Sequence, residues 1–158
     1  MSERETLPVT ETEVEHQFDD LDVDDAPQVG IVIGSKSDMP VMEKAAAALE
    51  EFGIRHEMRV MSAHRDPETV AEYAKNARMR GLRVIIAGAG LSAALPGVVA
   101  AHTDLPVIGV PLTSKTSVAG GLDALLAVAQ MPPGVPVAAV GVDNPKNAAA
   151  LAARILSA

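Results

Sequence analysis

Ser62-Ala63-His64-Arg65-Asp66-Pro67 holds the densest chemistry in this 158-residue chain. An imidazole titrates near neutrality and can move a proton in either direction, while an adjacent guanidinium can hold an anion. The other three histidines have plainer settings. His16 lies in an acidic run, His56 in an alternating polar-apolar stretch, and His102 near the end of a helical stretch, where its cation suits the helix dipole. No second histidine or carboxylate stands at metal-ligand spacing, so no metal is expected. The chain has no Cys, which excludes disulfides, thiolate metal sites and a cysteine nucleophile.

Four further stretches offer small, polar or cationic groups: Gly34-Ser35-Lys36-Ser37-Asp38, Ala87-Gly88-Ala89-Gly90-Leu91-Ser92, Thr113-Ser114-Lys115-Thr116-Ser117 and Asp143-Asn144-Pro145-Lys146-Asn147. Gly34 permits close backbone approach, and a helix N-terminus beyond it favours an anion near Ser35. Asp38 either caps that helix or holds a ligand. Gly88 and Gly90 lack the third small residue and the later acid of a dinucleotide fingerprint, so no such cofactor is expected.

All five stretches follow apolar runs: Val29–Ile33, Arg55–Val60, Val84–Ala87, Val107–Val110 and Val137–Val140. Four are unbroken and suit strands covered on both faces; Arg55–Val60 alternates and suits an edge. Between and after them, helical spacing spans Met39–Phe52, Pro67–Arg80, Leu95–His102, Gly121–Gln130 and Lys146–Leu156. Pro and Gly supply start and stop signals in the first two. Five β-α units imply an α/β, three-layer αβα sandwich around a flavodoxin-like, five-stranded parallel sheet. In such sheets ligands lie beyond the carboxyl ends of the strands, so the five polar stretches converge on one rim.

Charge separates the chain into two parts. Residues 1–28 carry ten acids and one base, a net of −9, whereas residues 29–158 carry twelve bases and eleven acids. The first part is expected to be a disordered acidic extension, and the second the folded domain. Two aromatics outside the extension and no basic stripe argue against nucleic acid. No apolar run approaches the ~20 residues that cross a bilayer. A cytoplasmic protein is expected.

These residues resemble the PurE family, the carboxyl-transferring enzymes of purine biosynthesis. The likeness runs from about Val29 to the end. It rests on Gly-Ser-Lys-Ser-Asp at 34–38, Ser-Ala-His-Arg at 62–65 with Pro67, Ala-Gly-Ala-Gly at 87–90 and Leu-Pro-Gly at 95–97. Leu-Pro-Val-Ile-Gly-Val-Pro at 105–111, Gly-Leu-Asp-Ala-Leu-Leu at 121–126 and Gln-Met-Pro at 130–132 extend it.

The resemblance implies isomerisation of N5-carboxyaminoimidazole ribonucleotide to the 4-carboxy nucleotide, with His64 as proton shuttle. It further implies that Ser35, Asp38 and Arg65 bind substrate. Gly34, Ser62, Gly88, Ala89, Gly90 and Ser92 would complete the pocket. It also implies a homo-octamer with sites at subunit contacts, and no cofactor. Ala94 stands where many mutase-type members have His. Together with Ser92–Leu95 and Asn144–Asn147 it leans toward the branch that carboxylates aminoimidazole ribonucleotide directly with CO2, while Arg65 matches the mutase branch. A non-catalytic receiver-like module is the alternative of a different class, but an acid is missing after the third strand.

Overall fold

In the computed structural model, which describes residues 25–158, the apolar runs form one parallel sheet ordered β2-β1-β3-β4-β5. The strands are β1 (Val29–Ile33), β2 (His56–Val60), β3 (Val84–Gly90), β4 (Val107–Leu112) and β5 (Ala138–Ala139). The helices are α1 (Met39–Glu51), α2 (Pro67–Asn76), α3 (Ala94–Ala101), α4 (Leu122–Ala129) and α5 (Pro145–Ser157). This is the flavodoxin-like order, and the strand sequence reverses between β1 and β3.

Side-chain alternation along β1 produces the layers. Val29, Ile31 and Ile33 enter a core with Met42, Ala45 and Leu49 of α1 and Ala148, Ala149 and Ala152 of α5. Val32 enters the opposite core, with Val70 and Tyr73 of α2, Leu95 and Val99 of α3, and Val128 of α4. Both faces of the central strands are dry, which explains why β1, β3 and β4 read as unbroken apolar runs. A buried Val, Leu or Ile contributes about 1.5–3 kcal/mol here.

Three expectations are corrected. β3 continues through Gly90 and β4 through Leu112, because the parallel register Gly88↔Val110, Ala89↔Pro111, Gly90↔Leu112 carries the pairing past the glycines. The Ala-Gly-Ala-Gly stretch therefore lies wholly within the strand. β5, expected to be buried on both faces, is a half-buried two-residue edge pairing only Ile108↔Ala138 and Gly109↔Ala139. Pro136 and Gly141 (φ 129°) bracket it and stop the ladder. Finally, Ala26 to Gln28, assigned to the extension, are bonded to the domain. Arg55 Nε donates to Ala26 O at 2.9 Å, and Arg83 N donates to Gln28 O at 2.8 Å. The rest of that expectation, at residues 1–24, lies outside the described residues.

At the β2 edge, Glu57 accepts hydrogen bonds from Arg80 Nη2 (2.6 and 2.8 Å), the Tyr73 hydroxyl (2.9 Å) and Arg59 Nη2 (3.2 Å). Gly30 makes room, since a Cβ there would sit 2.1 Å from the Tyr73 hydroxyl oxygen. Burial alone would raise the Glu57 carboxyl, but the Arg80 and Tyr73 hydrogen bonds and the charges of Arg80 and Arg59 outweigh it and lower the pKa. Because the folded value lies below the ordinary 4.5, this cluster stabilises the fold above that pH and fades as pH falls through the folded value. Glu57→Gln is expected to cost about 1–3 kcal/mol at pH 7. Urea melts at pH 7 and pH 3 check it: the gap between variant and parent must shrink at the lower pH.

Candidate active site

Parallel strands end together, so the loops after β1, β2, β3 and β4 meet at one edge. They enclose a cavity of about 340 Å³, within the usual range for small-ligand pockets. It straddles the switch point between β1 and β3.

After β1, Gly34 leads into a 3-10 turn, Lys36–Asp38. Ser35 Oγ accepts from Ser37 N at 3.3 Å and lies 2.9 Å from Ser37 Oγ, so Ser35 caps the turn and still lines the cavity. Asp38 sits at the N-cap of α1 but makes no side-chain capping bond. Its carboxylate is left for the cavity. Partial burial there raises its pKa above the ordinary 3.8.

After β2, the chain makes a closed turn: Asp66 N donates to Ser62 O at 2.8 Å, and Arg65 N to Ser62 Oγ at 3.2 Å. Asp66 then caps α2 by accepting from Thr69 N. Ser62 and Asp66 thus pin the turn, and His64 and Arg65 are presented at its apex with exposed side chains. Both line the cavity.

After β3, Leu91 (φ 55°) and Ala93 (φ 35°) adopt left-handed backbone, which costs a non-glycine residue about 1–2 kcal/mol. Ala93 is buried, and its N–H donates to Gly90 O at 2.9 Å, so packing holds the strain. This conformation turns the chain sharply into α3, whose N-terminus has no side-chain cap and opens on the cavity through Ala93, Ala94 and Leu95. Uncapped N–H groups with a positive dipole end favour an anion.

Of the expected site residues, Gly34, Ser35, Asp38, Ser62, His64, Arg65, Ala89, Gly90 and Ser92 line this one cavity. Gly88 does not. It lies inside β3 facing α1, where a Cβ would sit 2.6 Å from Met42 Sδ; the residue is small to admit Met42. The loop after β5 does not reach the lining either, so four loops converge rather than five. Ser37, Thr113 and Ser114, expected on the rim as parts of their stretches but not as individual site residues, also line the cavity. Their place directly after β1 and β4 was the available signal. Among the described residues no cluster of His, Asp or Glu could hold a metal ion.

The family model described as AIR carboxylase matches residues 28–158. The chain belongs to the AIR carboxylase family. Proteins named N5-carboxyaminoimidazole ribonucleotide mutase are similar to it: one from Pyrococcus abyssi is 60% identical over 83% of this chain and 74% of its own length. Another, from Thermotoga maritima, is 61% identical over 82% of this chain and 75% of its own. The crystal structure of Treponema denticola PurE matches with TM-score 0.73 and 39% identity, over 83% of this chain and 80% of that one.

In this AIR carboxylase family member, the partly buried carboxylate of Asp38 works against stability at neutral pH. A raised folded pKa means the ionised carboxylate is a penalty at neutral pH that disappears as pH falls and Asp38 protonates. Asp38→Asn is therefore expected to raise the thermal midpoint by a few degrees at pH 7 while weakening ligand binding. Calorimetric scans at pH 7 and pH 3 check it, since the gain should vanish at the lower pH.

Proposed function

We propose that this chain is an N5-carboxyaminoimidazole ribonucleotide mutase, moving a carboxyl group from the exocyclic nitrogen to ring carbon C4 of its nucleotide. The observation that carries the reading is the turn that presents His64 and Arg65 to the same cavity that Ser35 and Asp38 line. The relatives' shared name supports it at about 60% identity.

In this reading the N–C bond breaks, CO2 departs, and the electron pair returns to nitrogen. C4 of the electron-rich ring then attacks the CO2 carbon, forming the new C–C bond. C4 must lose its proton, which His64 accepts and returns to the exocyclic nitrogen. Proton count and charge balance without a cofactor. Arg65 and the open N-terminus of α3 favour the phosphate and carboxylate charges. Ala89, Gly90, Ala93 and Ala94 give the wall that confines CO2 a small, apolar surface.

Ala94 leaves that part of the lining without a second imidazole, so one histidine carries the proton in both directions. The reading separates from direct carboxylation by assay: the mutase consumes the N-carboxylated nucleotide without bicarbonate and does not carboxylate aminoimidazole ribonucleotide with CO2. His64→Asn is expected to lower kcat by about 10²-fold or more with cooperative unfolding unchanged. Wild-type-like turnover in that variant would remove His64 from the reaction.

The same reading includes an octamer with sites at subunit contacts, in the cytoplasm. Among the described residues no helix is long and apolar enough to cross a membrane. Leu91 on the cavity rim, with Val118, Leu122 and Leu126 on the segment following β4, are exposed apolar side chains that favour contact with further copies. Leu126→Glu is expected to shift the sedimentation coefficient toward smaller species. An unchanged value would take the first turns of α4 out of the contact.

A further inference from the structure

One polar wall of the cavity has no part in the proton and carboxyl transfers. Thr113, the first residue after β4, lines the cavity. Its backbone N–H donates to Asp143 Oδ1 at 2.9 Å, and its hydroxyl donates to Asp143 Oδ2. Asp143 lies in the loop between β5 and α5, which does not itself line the cavity.

A carboxylate only accepts hydrogen bonds, so the hydrogen of the Thr113 hydroxyl is committed to Asp143. Oγ1 is left with lone pairs alone to offer a ligand. The methyl on the same carbon is fixed as well: a Cβ at Gly121 would lie 2.6 Å from Thr113 Cγ2, so the methyl occupies the room that glycine leaves. Asp143 is held in turn. It adopts left-handed backbone (φ 51°), which Asp tolerates better than most residues, and its N–H donates to Pro111 O at 2.9 Å. Both substituents of the Thr113 Cβ are therefore locked before a ligand arrives.

We propose that Thr113 is a specificity-determining binding residue that accepts a hydrogen bond from a donor group of the nucleotide, a ribose hydroxyl or the exocyclic amine, and that Asp143 is the positioning residue that sets this polarity. The inference rests on the mutase reading and adds to it. Asp143→Asn tests it most directly, because Asn is nearly isosteric and suits left-handed backbone. Its single carbonyl oxygen accepts from the Thr113 N–H, and its amide donates to Oγ1. The Thr113 hydrogen then turns toward the cavity, and a donor becomes mismatched with a donor.

Steady-state kinetics on the purified full chain are expected to give KM raised roughly threefold to tenfold in Asp143→Asn and in Thr113→Val, with kcat within about twofold of the parent. Thr113→Ser, which keeps the hydroxyl, restores most of the affinity. The double variant Asp143→Asn/Thr113→Val is no worse than Thr113→Val alone, since both act through one oxygen. Should Asp143→Asn fail to unfold cooperatively, Thr113→Val and Thr113→Ser carry the test without disturbing the carboxylate. Unchanged KM in Thr113→Val beside an active parent overturns the inference. A parent that does not turn over the N-carboxylated nucleotide overturns the mutase reading instead. Binding of the product nucleotide and its 2′- and 3′-deoxy forms assigns the donor. A Thr113→Val penalty lost with either deoxy form assigns the ribose, and one that survives both assigns the amine.

Discussion

Parallel pairing of β1 with β2 on one side and β3 on the other is the constraint on which the site depends. In a parallel ladder every strand ends at the same edge, so loops separated by scores of residues in sequence become neighbours. The reversal of strand order at β1 and β3 then splays the following helices to opposite faces and leaves a gap between their starts. The sheet creates an empty place and surrounds it with loop residues. Chemistry is then a matter of what those loops carry.

Each loop is fastened by hydrogen bonds within the protein, most of them local. Ser62 and Asp66 close the turn beneath His64 and Arg65, Ser35 caps the turn ahead of Asp38, and Asp143 holds Thr113. The backbone strain at Leu91 and Ala93 is sustained by a buried alanine and a hydrogen bond to Gly90. Groups held in place before binding lose less entropy when they bind, which matters where a small molecule such as CO2 must be confined. Asp38 is the exception. It is left without a capping bond and partly desolvated, and a ligand donor is what would relieve it.

The layered architecture and most of the rim were legible in the sequence because parallel strands buried on both faces leave an unmistakable run of apolar residues. Val29–Ile33 is marked at both ends by the change to polar or glycine neighbours, and its bounds agree with the strand. Glycine misled in β3: Ala87–Gly90 reads as a turn locally, yet its hydrogen bonds to β4 keep it in the sheet, and Gly88 faces Met42 instead of the cavity. Val137–Val140 misled in the other direction. Val137 and Ala139 pack on the core beside α4 and Ala138 and Val140 on the opposite core, but the strand they form stands at the sheet edge and is only half-buried. The place of Thr113 on the rim was legible from its stretch, but its bond to Asp143 was not, because that partner lies thirty positions away and no local pattern encodes it.

That last case bears on how an edge strand can serve a site it never touches. β5 contributes only two paired residues, so its ladder adds little stability of its own. Its end nonetheless delivers Asp143 to Pro111 and Thr113, tying the carboxyl end of β4 to the loop ahead of α5. Lengthening β5 would extend regular pairing past Ala139 and carry the chain straight on where Asp143 now turns back in left-handed backbone. The short strand and the irregular loop are thus one requirement: the sheet must stop early for its fifth loop to reach sideways and hold the wall of the cavity.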